Sequence, residues 1–579
     1  MPNFFEDNED LKFNFDRLDL RKIIDLKETG FAEADDYDYA PRDHDDARDN
    51  YRRVLSLVGD LSANFIEPRA EDVDLEEARY ENGEVHYPRG TAEALRRLAD
   101  ADLMGFTLPR RYGGLNMPTV TYAMAIEMVS RADAALMTIF GLQDIAETIH
   151  DFADNELKDA YLPLFAEGSV TGAMVLTEPD AGSDLQAVAT SARPEQDGDE
   201  AGTWRINGVK RFITNGCGDV LLVLARSEPG SRDGRGLSLF LVEKGEGVRV
   251  RRIEEKLGIH GSPTCEIQFT NAPAKLIGRR KRGLTTYVMA LMNGARLAIA
   301  AQALGIAEAA YRAALDFARS REQFGRPILQ FPAVYEILAD MQTKIEGCRA
   351  LICETGRVVD LEKCYGQRVE QMDRSDPEYG AARTTQREYA KLAKALTPMS
   401  KFYACEIVNE VTSDAIQVHG GSGYMRDYPV ERYFRDARIT NIYEGTTQLQ
   451  VVAAIGCILS GDLAPYFEDM RRREYDRPLG TLGKQIGRIL DRLDKCVAFV
   501  KEKNSREYTD LHARRIVEIA VDAWIGHLLL EQAVVKEKKQ VTAKHFITRA
   551  AALADARARL VTSGDQTLIR NYEAVLEVK

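Results

Sequence analysis

Beyond residue 282, apolar residues recur at helical spacing through four long segments, 284–320, 332–359, 385–413 and 430–440. A chain carrying such segments in succession has to bury them against one another, so the pattern predicts a bundle of long helices. Upstream the period changes to two between 171 and about 281. There 203–206, 220–225, 237–242 and 266–269 read as strands, with Asn207-Gly208 and Asn215-Gly216 as hairpin or loop signals. A small antiparallel β-domain, one face packed against helices, is expected. From 50 to 168 helical spacing prevails, as in Leu95, Leu98 and Leu103, broken by a turn-like segment at 109–114. The polar stretch 361–382 predicts a longer connection inside the bundle. Stripes at Ile486, Leu490, Leu493 and Val497, and at Ile516, Ile519 and Ala523, predict a further helical unit near the end of the chain. The expected fold is α+β, mainly α. Its expected parts are an N-terminal extension (1–49), an N-terminal helical domain (50–170), a middle β-domain (171–283), a long-helix bundle (284–460) and an appended helical domain (470–579).

With 579 residues the chain can bury several cooperating units. The most apolar run, 287–310, contains Asn293, Arg296, Gln302 and Glu308 and reads as a buried helix rather than a bilayer span. The N-terminal residues are acidic and show no basic start, apolar signal core or Arg/Ser-rich transit pattern, which points to a cytoplasmic location. Eight scattered cysteines form no CxxC pair and no zinc-like spacing, so neither disulfides nor a structural metal are expected. His419, beside Gly420, reads as a loop hydrogen-bonding residue. Charge is uneven: residues 1–50 carry 16 Asp/Glu against 7 Lys/Arg, while 471–579 carry 15 against 22. The basic tail is open to three readings: a solvated helical face, peripheral contact with an anionic membrane surface, or docking on an acidic part of its own chain.

The densest chemistry lies in 417–450, QVHGGSGYMRDYPVERYFRDARITNIYEGTTQLQ, where a glycine-rich turn, an Arg/Asp-dense segment and Glu444 fall close together. Apolar and aromatic neighbours in Ile-Tyr-Glu-Gly-Thr can desolvate the Glu444 carboxylate and raise its pKa toward that of a useful base. Gly445 lets backbone approach a ligand closely. Gly420-Gly421-Ser422-Gly423 lacks the spacing of a dinucleotide fingerprint, and no phosphate-loop motif is present, which disfavours a nicotinamide enzyme.

These residues resemble the C-terminal signature of the acyl-CoA dehydrogenase family, and 175–184, VLTEPDAGSD, resembles its N-terminal signature, in the family's order. The resemblance covers roughly 52–456. It implies an FAD enzyme in which Glu444 takes the α-proton of an acyl-CoA and flavin N5 accepts the β-hydride. The thioester carbonyl would be held by the Glu444 backbone N–H together with a flavin side-chain hydroxyl. Some members carry the base on a long helix, one residue before an arginine; that position is Ala295 here, ahead of Arg296, so the base falls to Glu444 and Glu178 is left a structural role.

The resemblance further places Met174, Thr177, Gly182 and Ser183 around the isoalloxazine, with Phe212, Ile213 and Thr214 completing the wall. Phe212 stands where tryptophan is usual, and read from its strand alone it is equally a core residue. Arg321, Phe324, Gln417, Gly420 and Gly421 resemble contacts to a flavin held mainly by a neighbouring subunit, which implies a dimer; Thr446 and Gln448 are further dinucleotide contacts. Pro332 replaces a usual glutamine and removes a backbone donor. Asn293, where aspartate is usual, and Arg296 would grip coenzyme A. Ser183 would also meet substrate, and Tyr443 would line the acyl pocket.

The expected activity is α,β-dehydrogenation of an acyl-CoA, with electrons passed to an electron-transfer flavoprotein. The alternatives are an oxygen-using oxidase, and a DNA-associated flavoprotein of the same fold. The latter is disfavoured by the chain's overall acidity, so no nucleic-acid partner is expected. The long form implies a homodimer whose added helices cover the surface that shorter members use to form tetramers. Long-chain, branched, aromatic and thioether acyl groups all stay open.

Overall fold

The computed structural model describes residues 2–196 and 202–578. Two short helices, α1 (Glu9–Arg17) and α2 (Arg21–Lys27), precede α3 (His44–Leu61), α4 (Ala70–Glu76), a hairpin of β1 (Arg79–Glu81) and β2 (Glu84–His86), and α5 (Arg89–Asp100). Then come α6 (Thr119–Ala132), α7 (Ala134–Phe140), α8 (Asp144–Phe152) and α9 (Asn155–Glu167). Acidic caps fix the starts of α3, α7 and α9, as where the Asp133 carboxylate accepts from the backbone of Ala135 and Leu136. Gly168, in the left-handed region at φ +70°, ends α9.

The sheet comprises β3 (Gly172–Val175), β4 (Ser191–Pro194), β5 (Trp204–Thr214), β6 (Val220–Arg226), β7 (Leu237–Glu243), β8 (Val248–Ile253) and β9 (Thr264–Leu276). Pairings β6–β7–β9–β5–β4–β6 return on themselves, so the strands close around Trp204, Ile206, Val223, Phe240 and Ile267. The expected antiparallel pattern needs one correction: β3 and β4 both pair parallel to β6. Asn207-Gly208 is a second, because it lies inside β5, where the register shifts between Ile206 and Gly208, and forms no hairpin turn. A Cβ at Gly208 would come within 2.4 Å of the Thr190 hydroxyl, so close strand approach is the reason for glycine there. Asn215 does turn the chain, at φ +52°.

After a π-helical turn at Gly283–Val288 the bundle begins: α10 (Met289–Ser320), α11 (Pro332–Gln371), α12 (Tyr379–His419), α13 (Val430–Ala437) and α14 (Thr447–Ser460). Pro332 opens α11, where its missing N–H has no partner to lose. The long connection expected over 361–382 is not there. The α11 helix runs through most of it, because Leu361 and Cys364 still face the core with Tyr365 half-buried beside them, leaving residues 372–378 as the link. Gly283–Ser320 is the one single helix among the described residues long and apolar enough to cross a membrane, and most of it is buried inside the protein.

The final helices, α15 (Ala464–Arg472), α16 (Gly480–Lys503), α17 (Arg506–Val535), α18 (Lys539–Val561) and α19 (Thr567–Leu576), share one continuous apolar core with α6, α10, α11 and α12. Residues 1–49 join it as well, through Phe4, Phe5, Leu11 and Phe15. A buried ionic node fastens these parts. Arg349 of α11 donates to Glu127 of α6 at 2.7 Å, to Glu308 of α10 at 2.8 Å and to Asp10 of α1. Lys539, at the start of α18, pairs with Asp10 and with Glu346 at 2.7 Å, so part of the basic tail does dock on acidic residues of its own chain.

Replacing Arg349 with methionine leaves three buried carboxylates without their common cation, and should destabilise the protein by about 3–5 kcal/mol, seen as a lower urea midpoint and faster proteolysis of the N-terminal arm. A second node answers to pH. Asp74 of α4 faces Arg435 of α13 at 2.6 Å and the His260 Nδ1 at 3.0 Å, while the His260 Nε2 lies 2.8 Å from the Lys256 carbonyl. Chiefly through Asp74, the imidazole is raised to about 9 from 6.5. Its contribution is therefore complete below pH 6.5 and is lost as pH rises toward about 9, and thermal melts across that window should show a loss of about 1–2 kcal/mol that His260→Gln removes.

Candidate active site

A cleft of about 1290 Å³ opens between the sheet and the bundle. One wall is the loop leaving β3, with Met174, Leu176, Thr177, Gly182 and Ser183; another is the end of β5, with Phe212, Ile213 and Thr214; the bundle contributes Met292, Arg296, Tyr443, Glu444 and Thr446. The two sheet walls are held by one device. Lys210, wholly buried, donates to the Leu176 carbonyl at 2.7 Å and pairs with Glu178 at 2.9 Å, and the Arg211 N–H donates to the Thr177 carbonyl at 3.0 Å. Just beyond, the β5–β9 register slips between Lys210 and Ile213, and Phe212 takes φ +62°. Such a bulge re-aims a side chain, and here it turns Phe212 out of the sheet and into the cleft at 53 % exposure. The reading of Phe212 as a strand core residue therefore falls.

Glu178 accepts from the Ala189 and Thr190 N–H groups at 2.7 and 2.9 Å. Burial opposes its ionisation, but Lys210 and these donors carry the carboxyl below its ordinary value. Glu444 is different. Burial pushes its carboxyl above the ordinary range, opposed by the charges of Lys401 and Arg296; the carboxylate oxygens accept no hydrogen bond among the described residues, although the backbone carbonyl accepts from Gln450 at 3.3 Å. Its backbone is at φ +51°, a strained position for a residue with a Cβ, so surrounding contacts must hold it there.

Those contacts were not foreseen from sequence. The Lys401 ammonium, buried on α12, donates to the carbonyls of Thr440, Tyr443 and Gly445 at 3.1, 2.8 and 2.6 Å. Gln450 donates to the Gly445 carbonyl at 2.9 Å, and the Tyr443 hydroxyl bonds Gln302, itself tied to the Ala134 carbonyl at 2.9 Å. The available signal was a lysine and a glutamine placed inside otherwise apolar helical faces, where an unpaired polar group would be costly.

Arg296 donates to Asn293 at 3.0 Å, while its buried Nε has no hydrogen-bond partner among the described residues; Asn293 is exposed. Thr446 caps α14, and Gln448 is exposed on its first turn. The remaining predicted residues are elsewhere. Arg321 ends α10, Phe324 follows at 94 % exposure and φ +53°, and Gln417, Gly420 and Gly421 lie exposed at the end of α12. These two helix ends meet, since Phe317 stacks on His419 at 4.3 Å. They lie about 37 Å along α10 from Arg296, so within one chain they do not join the cleft.

The walls suit a planar apolar ring with a polar rim: an exposed aromatic, a glycine loop and the hydroxyls of Thr177, Ser183 and Thr214 face the space that a flavin would fill. Glu178→Gln should leave Lys210 buried without its charge partner. It is expected to lower stability by about 3 kcal/mol in urea titrations, while the rate of flavin reduction in stopped flow stays within about twofold of native.

Family models agree with the geometry. The acyl-CoA dehydrogenase N-terminal, middle and C-terminal domains match residues 48–169, 173–272 and 297–448, and a model named acyl-CoA dehydrogenase C terminal matches 460–564. The chain is 36% identical over 438 residues to a 3-methylmercaptopropionyl-CoA dehydrogenase of Ruegeria pomeroyi, covering 70% of each, and 37% identical over 376 residues to an acyl-CoA dehydrogenase of Bacillus subtilis, covering 64% of this chain and 90% of that one. Among solved structures, butyryl-CoA dehydrogenase of Megasphaera elsdenii superimposes with a TM-score of 0.59 at 30% identity, over 71% of this chain and 98% of that one. The fold of an FAD-complexed acyl-CoA dehydrogenase from Bacillus anthracis matches with a TM-score of 0.75 at 24% identity, over 88% of each chain. The chain belongs to the acyl-CoA dehydrogenase family of FAD-dependent oxidoreductases.

Proposed function

We propose that this chain introduces a double bond between Cα and Cβ of an acyl-CoA thioester, with Glu444 removing the α-proton. The observation that carries the reading is the state of that carboxylate: it lines the cleft, lacks hydrogen-bond donors and is drawn out of water, which gives a base stronger than an ordinary glutamate. Arg296, also lining the cleft, holds cationic charge near it and limits the rise. The Glu444 N–H takes no backbone carbonyl among the described residues, which leaves it available to a thioester oxygen as negative charge develops there. Leu142, Met292, Ile439 and Leu449 add apolar wall, excluding water around the reacting carbons. Thr177, Ser183, Phe212, Ile213 and Thr214 would hold the FAD ring. Bound FAD supplies the acceptor for the hydride leaving Cβ.

For the electrons' onward path we propose an electron-transfer flavoprotein rather than oxygen; a solved chain 33% identical to this one, with a TM-score of 0.59, is described in work on the electron transferring flavoprotein of Acidaminococcus fermentans. We further propose that two chains work together. Arg321, Phe324, Gln417, Gly420 and Gly421 gather at the far end of the bundle beside exposed Tyr424 and Met425, an aromatic and glycine-rich surface suited to the dinucleotide of a second copy's FAD. A monomer by mass in solution would remove that second proposal.

Anaerobic bleaching of the flavin with straight, branched, aromatic and thioether acyl-CoAs tests the main reading. Native enzyme should bleach with at least one class. Glu444→Gln should hold FAD and bind the same thioester but reduce flavin more slowly by about 10²–10⁴. Because its carboxyl is raised, the acid limb of the native rate should lie above the usual carboxylate range. A Glu444→Gln enzyme that bleaches at the native rate overturns the assignment.

A further inference from the structure

We infer that Lys401 is the positioning residue for the active-site carboxylate: its buried ammonium gathers the carbonyls of Thr440, Tyr443 and Gly445 around one point and so folds the loop that presents Glu444. This rests on the reading of Glu444 as base and adds the device that aims it. An ammonium has three donors and no acceptor, and here the three donors meet three carbonyls within 3.1 Å. A neutral amine would have only two N–H donors for the same three acceptors. The arrangement is thus satisfied only with the charge in place, although burial works against it.

Two consequences for the site follow from peptide geometry. The carbonyls on either side of Glu444, those of Tyr443 and Gly445, both point at Lys401, which accounts for the left-handed backbone, φ +51°, at the residue between them. In a trans peptide the N–H points opposite to the C=O, so turning the Tyr443 carbonyl toward Lys401 turns the Glu444 N–H away from it. One side chain therefore sets both groups the reaction uses, the carboxylate and the oxyanion donor.

The charge also acts on the carboxylate. Among groups near the loop, Lys401 and Arg296 of α10 favour ionised Glu444; Asp144 of α8 also lies within electrostatic reach, as do the Tyr443 hydroxyl and, on the Lys401 side, Cys405 and Glu406 of α12. Glu406 is engaged elsewhere, accepting from the Thr447 hydroxyl at 2.6 Å and from Arg514 at 2.7 Å. Removing the Lys401 charge leaves Arg296 as the remaining cation and favours the protonated acid.

The test uses the FAD-loaded enzyme with Lys401→Met and Lys401→Gln, following flavin reduction by a reactive acyl-CoA from pH 5 to 9 without oxygen. FAD content and binding of a non-dehydrogenable acyl-CoA thioether are measured alongside. Both variants should bind the thioether within about threefold of native, reduce flavin at least about tenfold more slowly, and move the acid limb upward by about one pH unit. Glutamine offers two donors without charge, so it should recover part of the limiting rate and none of the pH shift; it also carries the test where the methionine variant fails to retain FAD. A native rate with an unmoved acid limb in either FAD-loaded variant overturns the inference. If Glu444→Gln is inactive in that same comparison, the base assignment survives; if Glu444→Gln bleaches normally, it is the base assignment that has failed.

Discussion

A cleft carboxylate, Glu444, that is withdrawn from water yet lies in the field of two cations is the constraint around which this site is organised. Desolvation alone pushes the Glu444 carboxyl toward its protonated form, whereas a direct salt bridge would pull it the other way. The fold meets the conflict by supplying positive charge without a direct pair. Arg296 sits on the cleft wall and Lys401 beneath the loop, each reaching the carboxylate by field, while the Lys401 donors are taken by backbone carbonyls. Only a packed interior can hold an ammonium and a strained backbone in register this way.

Rigidity on the bundle side is matched on the sheet side. The Lys210–Glu178 pair underpins the loop after β3, and the slip in β5 turns Phe212 outward, so both walls of the cleft are strand ends backed by closed sheet. The bundle and the appended helices are fastened at the Arg349 node, where carboxylates from three helices converge on one guanidinium. Placing Asp10 in that node makes the N-terminal arm part of the core, and Lys539 extends the same node to α18. The buried charges are costly to desolvate, but once paired they define which helices meet and in what register.

Much of this was legible in the residues. The helical repeats located the bundle, the period-two runs located the strands, and the order of two signatures put Glu444 and Ser183 in one site. Local rules failed where a neighbour overrode them. Asn207-Gly208 carries a turn signal, yet the approach of Thr190 makes it a bulge inside a strand; the polar stretch after Leu361 reads as a connection, yet one helical face of it still reaches the core. Phe212 was ambiguous because alternation along a strand says nothing of a register slip.

The sequence by itself determined the family, the order of the helical and strand segments, and an acid, Glu444, that lines the cleft, because periodicity and short motifs are local properties carried by adjacent residues. What the tertiary structure alone decided is which buried groups surround that acid and its loop. Lys401 precedes Glu444 by more than ten helical turns' worth of chain, and Lys210 lies 34 residues along the chain from the carbonyl it holds. Contacts of that kind arise from the packing of distant segments, and no local pattern records which buried cation will meet which carbonyls.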